Sequence, residues 1–292
     1  MAKKRAVLLA GLMALALSAA GCSAAPAADP SPSPQPAATA APAPVSVSPQ
    51  GLAVARQEGE VYFPSAVQWS YHFTYAYPHL LGQDYAAAAI NDTYQMALDE
   101  MEQLVLPMFA NEESMQFDGR NEVTHDFYVT CNNDRLLSIV QTRSQTMGSE
   151  GVALALEALV FDVSGAYIGE TLTLRGCVLT GIGEEPADEM TVEKYPQAAR
   201  LIEGSSDLIA EAVSRALYPS FAALQQAGVG RSDITQEDFE WEFAPAANFY
   251  VNADGNVTFF FPPAMLTEPT FDVPVFSFTA AELEALMENG ES

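Results

Sequence analysis

The chain has 292 residues, 38 of them acidic and 12 basic, for a net charge of −26. Such acidity disfavours nucleic acid and adsorption to an anionic membrane, and attracts a cationic partner at long range. The length suffices for one large core or two joined sub-domains, and the sequence shows neither an internal repeat nor a second hydrophobic span.

Lys3, Lys4 and Arg5 precede an apolar run from Ala6 to Ala20, the layout of a secretory signal. The run is shorter than the roughly 20 residues of a membrane-spanning helix. Leu17-Ser18-Ala19-Ala20-Gly21-Cys22 resembles a lipobox, with Ala19 where leucine is usual. Residues 1–21 are therefore read as a lipoprotein signal peptide, cut before Cys22, whose thiol receives diacylglycerol. The competing reading is an ordinary signal peptide cut elsewhere. At about 0.8 kcal/mol per buried methylene, two acyl chains hold a protein on a membrane where one does not. Cleavage would remove three basic residues and no acids, leaving nine against 38 and a net charge of −29. Residues 22–60 open with an Ala/Pro/Ser stretch, including Pro26, Pro30, Pro32, Pro34, Pro36, Pro42, Pro44 and Pro49, and are expected to be a semi-extended tether. The expected location is the extracytoplasmic face of the cell membrane, lipid-anchored.

Trp69, Tyr71, Phe73, Tyr75 and Tyr77 alternate with Ser70, His72, Thr74 and Ala76, which predicts a strand closed by Pro78. Asp84 is placed to cap a helix with Ile90, Tyr94, Ala97, Met101 and Val105 on one face. Strands are predicted at Glu122 to Cys131, Leu136 to Ser144 and Val152 to Asp162, separated by turn residues, as an antiparallel meander behind that helix. A second amphipathic helix is predicted over Ser206 to Gln226, with Gly228 beyond it. Strands at Asn248 to Val251 and Asn256 to Phe261 flank Asn252-Ala253-Asp254-Gly255, a hairpin turn. Pro274 makes Phe271 to Phe278 an edge strand, and Thr279-Ala280-Ala281-Glu282 is a capping box that opens a last helix. The fold class expected is α+β: antiparallel sheets packed with a few helices, in two joined sub-domains at 61–155 and 156–292.

Candidate chemistry is sparse. His72, His79 and His125 lie in no His-Glu-x-x-His or zinc-like spacing, and no Gly-x-Ser-x-Gly elbow occurs, so no catalytic residue, metal or cofactor is assigned. Asn252, Asp254 and Asn256 fit a hairpin better than a calcium loop. The acids at Glu112-Glu113, Glu184-Glu185, Asp188-Glu189 and Glu237-Asp238 read as solvated surface. The aromatic stripe at Trp69 to Tyr77 reads as sheet core rather than a sugar-stacking platform. Cys131 and Cys177 form either a disulfide or two buried thiols.

The order of Tyr77-Pro78 with Gly82, Ile90-Asn91, Leu136-Leu137-Ser138-Ile139, Phe161-Asp162 with Gly165, Leu172-Thr173-Leu174, Asp238-Phe239, Asn248-Phe249-Tyr250, Gly255 and Phe259-Phe260-Phe261 resembles an extracytoplasmic domain-of-unknown-function family. That family is shared with the lysozyme-sensing anti-sigma-V factor and the accessory region of some peptidoglycan deacetylases. The resemblance covers about Trp69 to Leu286, and its C-terminal part looks like the anti-sigma-V module. Two loops depart from the family: Met147-Gly148-Ser149-Glu150-Gly151 lacks its histidine, and Phe261-Pro262-Pro263-Ala264 lacks its tyrosine and acid. Met147, Gly148, Ser149 and Glu150 are one candidate binding loop, and Pro262, Pro263, Met265 and Leu266, expected to be exposed, are the other. The resemblance implies the module alone, because the chain has neither a sigma-binding tail nor residues for a metal-dependent catalytic domain. The function expected is a non-catalytic binding module for an envelope or extracellular partner, such as a basic protein of the lysozyme kind. The alternatives are a hydrolase of peptidoglycan or polysaccharide acting through an acid pair, and a structural lipoprotein.

Overall fold

The computed structural model describes residues 51–64, 69–105, 121–147, 152–164, 167–181 and 206–289. The signal segment, Cys22, most of the tether and Gly148, Ser149 and Glu150 lie outside the described residues. Everything described belongs to one compact unit.

Its first half is a five-stranded sheet in the order β1 (Val54–Pro64), β2 (Trp69–Leu80), β3 (Asn121–Asn132), β4 (Leu136–Met147), β5 (Val152–Asp162). Four of the five were expected as strands. β1 was not, and it begins inside the span 22–60 read as tether. Its own sequence alternates weakly; pairing with β2 along its whole length recruits it. Gly59 faces Tyr75 there, and a Cβ on Gly59 would collide with the tyrosine ring. Pro78 does not close β2, which runs on to Leu80. The partner β3 pairs only with Tyr71 to Tyr75, so that flank of β2 is open at Pro78 and no N–H is missed.

The β2–β3 pair is parallel, which corrects the all-antiparallel meander; the other pairs in the sheet are antiparallel. Parallel neighbours need a long crossover, and α1 (Tyr85–Glu100), continued by a π-turn at Met101–Val105, lies on it. Asp84 caps α1 by accepting from the Ala87 N–H at 2.8 Å. Asn91 then clamps the end of β2: its Oδ1 accepts from the Leu80 N–H at 2.8 Å and its Nδ2 donates to the Leu80 carbonyl at 2.9 Å.

The second half is a three-stranded antiparallel sheet, β6 (Phe249–Val251), β7 (Val257–Phe260) and β8 (Val275–Phe278), in that order, with β8 an edge strand as Pro274 predicts. Gly255 closes the β6–β7 hairpin at φ +82, and the Asn252 side-chain oxygen accepts from the Asp254 and Asn256 N–H groups, both at 3.0 Å. Helices α2 (Leu174–Gly181), α3 (Ser206–Gln226), α4 (Gln236–Phe243) and α5 (Ala280–Asn289) accompany this sheet. The α3 limits match the prediction. The capping box of α5 is closed both ways, Thr279 N–H to Glu282 at 2.8 Å and Glu282 N–H to the Thr279 hydroxyl at 3.2 Å. Neither α2 nor α4 was anticipated, because eight residues hold too few helical repeats to register as a period.

Two cores result, one on each face of the first sheet's apolar end. Leu137, Ile139 and Phe161 pack under Ile90, Tyr94 and Leu98 of α1. Their neighbours in sequence, Leu136 and Val160, face the other way and join Ile209, Val213, Phe221, Phe239, Phe259 and Leu283. That explains the run Leu136-Leu137-Ser138-Ile139-Val140, which is apolar on both sides because both sides are covered. At roughly 1.5–3 kcal/mol per fully buried large side chain, these layers dominate stability. The expected boundary at 155/156 falls within β5, Val152–Asp162, and all the described residues form one compact unit.

Candidate functional site

Away from its apolar end, the α1-facing side of the first sheet turns polar. Register places Val123 opposite Gln145, His125 opposite Arg143 and Phe127 opposite Gln141, which in turn faces Glu157 on β5. Tyr71, Phe73 and Tyr77 flank this patch from β2, and Tyr71 and Phe73 are buried, as the core reading of the stripe requires. Trp69 opens the strand, and its side chain lies outside the described residues.

His125 is only 8% exposed. Its Nδ1 hydrogen-bonds the Tyr77 hydroxyl at 2.9 Å, and its ring stands edge-on to Phe73 at 5.0 Å. Burial, reinforced by the Arg143 charge, pulls its pKa down to about 3, so the imidazole is neutral. Burial lifts the Tyr71 phenol to about 12, with Arg143 opposing. The same cause raises Tyr77 and Tyr94 and lowers Arg143. Glu157 is raised by burial, and Arg143 works against that rise. Arg143 Nη2 donates to Gln145 Oε1 at 3.0 Å, whereas its Nε is buried with no hydrogen-bond partner among the described residues. The same holds for His125 Nε2. Tyr71 donates to the Met101 sulfur at 3.8 Å, which ties the patch to the π-turn, a feature often found at functional positions.

Sequence reasoning named His125 but missed Arg143, Gln145 and Glu157. A signal existed: Gln141, Arg143 and Gln145 put long polar side chains at period two on a strand whose same face is apolar at its other end, at Leu137 and Ile139.

The candidate loops fare differently. Met147 ends β4, and the rest of its loop lies outside the described residues. Pro262 is half-buried and Pro263 buried, while Met265 (0% exposed) and Leu266 (3%) belong to the interior, contrary to the expected exposure. The segment is pinned to the α3–α4 connection. Thr267 N–H donates to the Val229 carbonyl at 2.8 Å, Arg231 N–H to the Met265 carbonyl at 2.9 Å, and the Arg231 guanidinium to the Ala264 carbonyl at 3.0 Å. Those bonds turn its apolar side chains inward. Cys131 and Cys177 are unbridged buried thiols, so the disulfide alternative fails; burial raises Cys131 to about 11 and Cys177 further. His72 stacks on Tyr62 at 4.1 Å and faces Glu60 at 3.5 Å, and His79 is exposed. No group of three or more metal-ligating side chains occurs among the described residues.

A second surface feature lies on α4. Phe239 and Phe243, four residues apart, anchor it in the core, and Thr235 caps its start. The remaining face carries Glu237, Asp238, Glu240 and Glu242 around Trp241, which is 87% exposed.

These features define a mixed α+β module with a polar patch buried in one sheet and an acidic, tryptophan-bearing helix beside the other. No family model matches the sequence, and no curated protein does. Among solved structures the chain is similar to a DUF3298 family member from Bacteroides fragilis, at 12% identity and TM-score 0.41, over 81% of this chain and 99% of that one. It is also similar to a DUF3298 family protein from Pseudomonas aeruginosa, at 12% identity and TM-score 0.44, over 80% and 92%. Both are proteins of a domain-of-unknown-function family.

Proposed function

We propose that this chain is a lipid-tethered, extracytoplasmic binding module without catalysis, and that α4 receives a basic envelope or extracellular protein, with a lysozyme as the type of partner. The observation that carries the reading is Trp241, 87% exposed and ringed by four acids. Tryptophan is the residue most enriched at interface hot spots, and its face takes Lys and Arg by cation–π contact. Carboxylates around it steer a cationic partner and set the salt dependence. The helix is held at both ends, by Thr235 and by the left-handed Ala244, so little ordering remains for binding to impose. The lipobox at Cys22 supplies the tether. The absence of catalysis draws support from the buried groups: a histidine titrating near 3 and a thiol near 11 are far from the neutral range that proton transfer and thiolate chemistry favour.

Biolayer interferometry with the full-length chain in detergent tests this. Hen lysozyme is expected to bind at low salt and more weakly at physiological salt. Trp241→Ala is expected to weaken it at least about tenfold, or 1.4 kcal/mol, without moving the melting temperature. Lack of saturable binding, or an affinity indifferent to Trp241, ends the proposal. The hydrolase reading keeps one foothold, the raised carboxyl of Glu157. Release of labelled cell-wall fragments that disappears in Glu157→Gln would replace the binding reading.

A further inference from the structure

We propose that two copies of this chain join along the outer edge of β5, antiparallel and about a two-fold axis at Ala155, so that their five-stranded sheets run on into one another. The inference is independent of the α4 surface.

A strand at the rim of a sheet presents unpaired N–H and C=O groups, and such rims are usually blunted by charge, proline, a bulge or brevity. Three of the four rims among the described residues are blunted in this way. β1 carries Arg56, Glu58 and Glu60. β6 spans three residues, and its Val251 N–H is taken by the Ser138 hydroxyl. β8 spans four residues behind Pro274. β5 has none of these guards. It runs 11 residues beside β4 without a bulge, has no proline, and before Asp162 carries Glu157 as its one charge.

The direction of its free groups follows from the far end of the strand. There the Val160 carbonyl accepts from the Leu172 N–H at 2.7 Å, and the Asp162 N–H donates to the Glu170 carbonyl at 3.1 Å, so the backbone groups of these residues point away from β4. Alternation along a regular strand turns those of Val152, Leu154, Leu156 and Ala158 the same way. None of these four makes a hydrogen bond on that side among the described residues. Nor is the edge covered over: Val152 is 53% exposed, and Ala153 to Leu159 are half-buried.

The free stretch is its own complement. Pairing centred on Ala155 sets Val152 opposite Ala158 of the second copy, Ala153 opposite Glu157 and Leu154 opposite Leu156, each twice, with Ala155 facing Ala155. Every outward-pointing residue then meets another, and each such pair exchanges two hydrogen bonds. A centre one residue later would bring Val152 opposite Val160, where Leu172 already stands. Small side chains face larger ones at Val152 and Glu157, and the two leucine pairs flank the axis. Charge selects the same edge. Chains of net charge −26 repel one another, and here the acids stay apart: the two Glu157 side chains lie four places from each other along the ladder, about 13 Å at roughly 3.3 Å per residue. A closed two-fold pairing of this kind also leaves no free β5 edge for further copies to add to.

The test is sedimentation velocity of the full-length chain in density-matched detergent, together with oxidative crosslinking. The unmodified chain is expected to pass from monomer to dimer with rising concentration. Added salt should strengthen the dimer by screening like charges, the opposite of its effect on a basic partner, and Trp241→Ala should leave the dimer intact. Ala155→Cys places two thiols on a pair whose Cβ atoms are about 4.5–5.5 Å apart, within a small shift of disulfide reach. Ala153→Cys places them about 13 Å apart on the same face, so its disulfide yield is expected to be at least about tenfold lower. A chain that stays monomeric at every concentration, a dimer lost in Trp241→Ala, or equal crosslinking at the two positions each overturns the proposal; the first reading comes from the unmodified chain and does not depend on any variant folding.

Discussion

Replacing Ser138 by alanine probes how the two sheets are joined. Ser138 is fully buried on β4, and its Oγ accepts from the Val251 N–H of β6 at 3.1 Å and hydrogen-bonds the Thr130 hydroxyl at 2.8 Å. β6 is the edge strand of its sheet, so Val251 has no strand partner on that side and the serine oxygen stands in for one. Alanine leaves the Val251 N–H buried without an acceptor, at a cost of about 1–3 kcal/mol, and removes part of a further hydrogen bond worth about 0.5–1.5 kcal/mol. The expected loss is about 2–3 kcal/mol by urea denaturation, or roughly 4–12 °C in melting temperature for a domain of this size. Thr130→Val leaves the Val251 bond in place, removes the contacts of the Thr130 hydroxyl with the Ser138 hydroxyl at 2.8 Å and the Ser138 carbonyl at 3.2 Å, and is expected to cost about 1 kcal/mol. A Ser138→Ala loss below about 0.5 kcal/mol, or no greater than that of Thr130→Val, would refute the stitch, since the Val251 N–H would then have another acceptor.

Met265→Ala is expected to cost about 2–5 kcal/mol in chemical denaturation and to leave lysozyme affinity unchanged, because the side chain is fully buried in the core. His125 gives a pH signature: the unfolded chain takes a proton near 6.5 and the folded one only near 3, so stability falls as pH drops through that window. This one group contributes up to about 1.4 kcal/mol per pH unit, and the slope difference between wild type and His125→Phe measures it. Glu282 has the opposite origin and the same sense. The Thr279 N–H, then its hydroxyl, hold the carboxyl below its ordinary value, so the support it lends to α5 is present above about pH 4.3 and disappears as pH falls through the lowered value. In Glu282→Gln the low-pH change in the Thr279 amide NMR signal is expected to vanish.

Legibility followed the reach of each interaction. The Asp84 cap, the Thr279–Glu282 box, the Asn252–Gly255 hairpin and the limits of α3 were all readable, since each is decided by bonds or packing faces that close within a few residues. The polar patch was only half readable. His125 and the alternation of Gln141, Arg143 and Gln145 are visible in the chain, but not that β3 and β4 pair His125 with Arg143. The pinned segment failed for a related reason: Met265 and Leu266 sit among prolines and polar residues as a surface loop would, yet hydrogen bonds to Val229 and Arg231 fold them inward.

The sequence by itself determined an α+β chain rich in acids, with its helix starts, its hairpin and its strand periodicities, because propensity, capping and alternation are local. Tertiary structure alone decided that β1 joins the sheet, that β2 and β3 run parallel, that the cysteines stay apart as thiols, and that Trp241 is left outside while Met265 is not. Each of those outcomes depends on which distant segment covers a side chain, and burial is a property of the pair rather than of either residue.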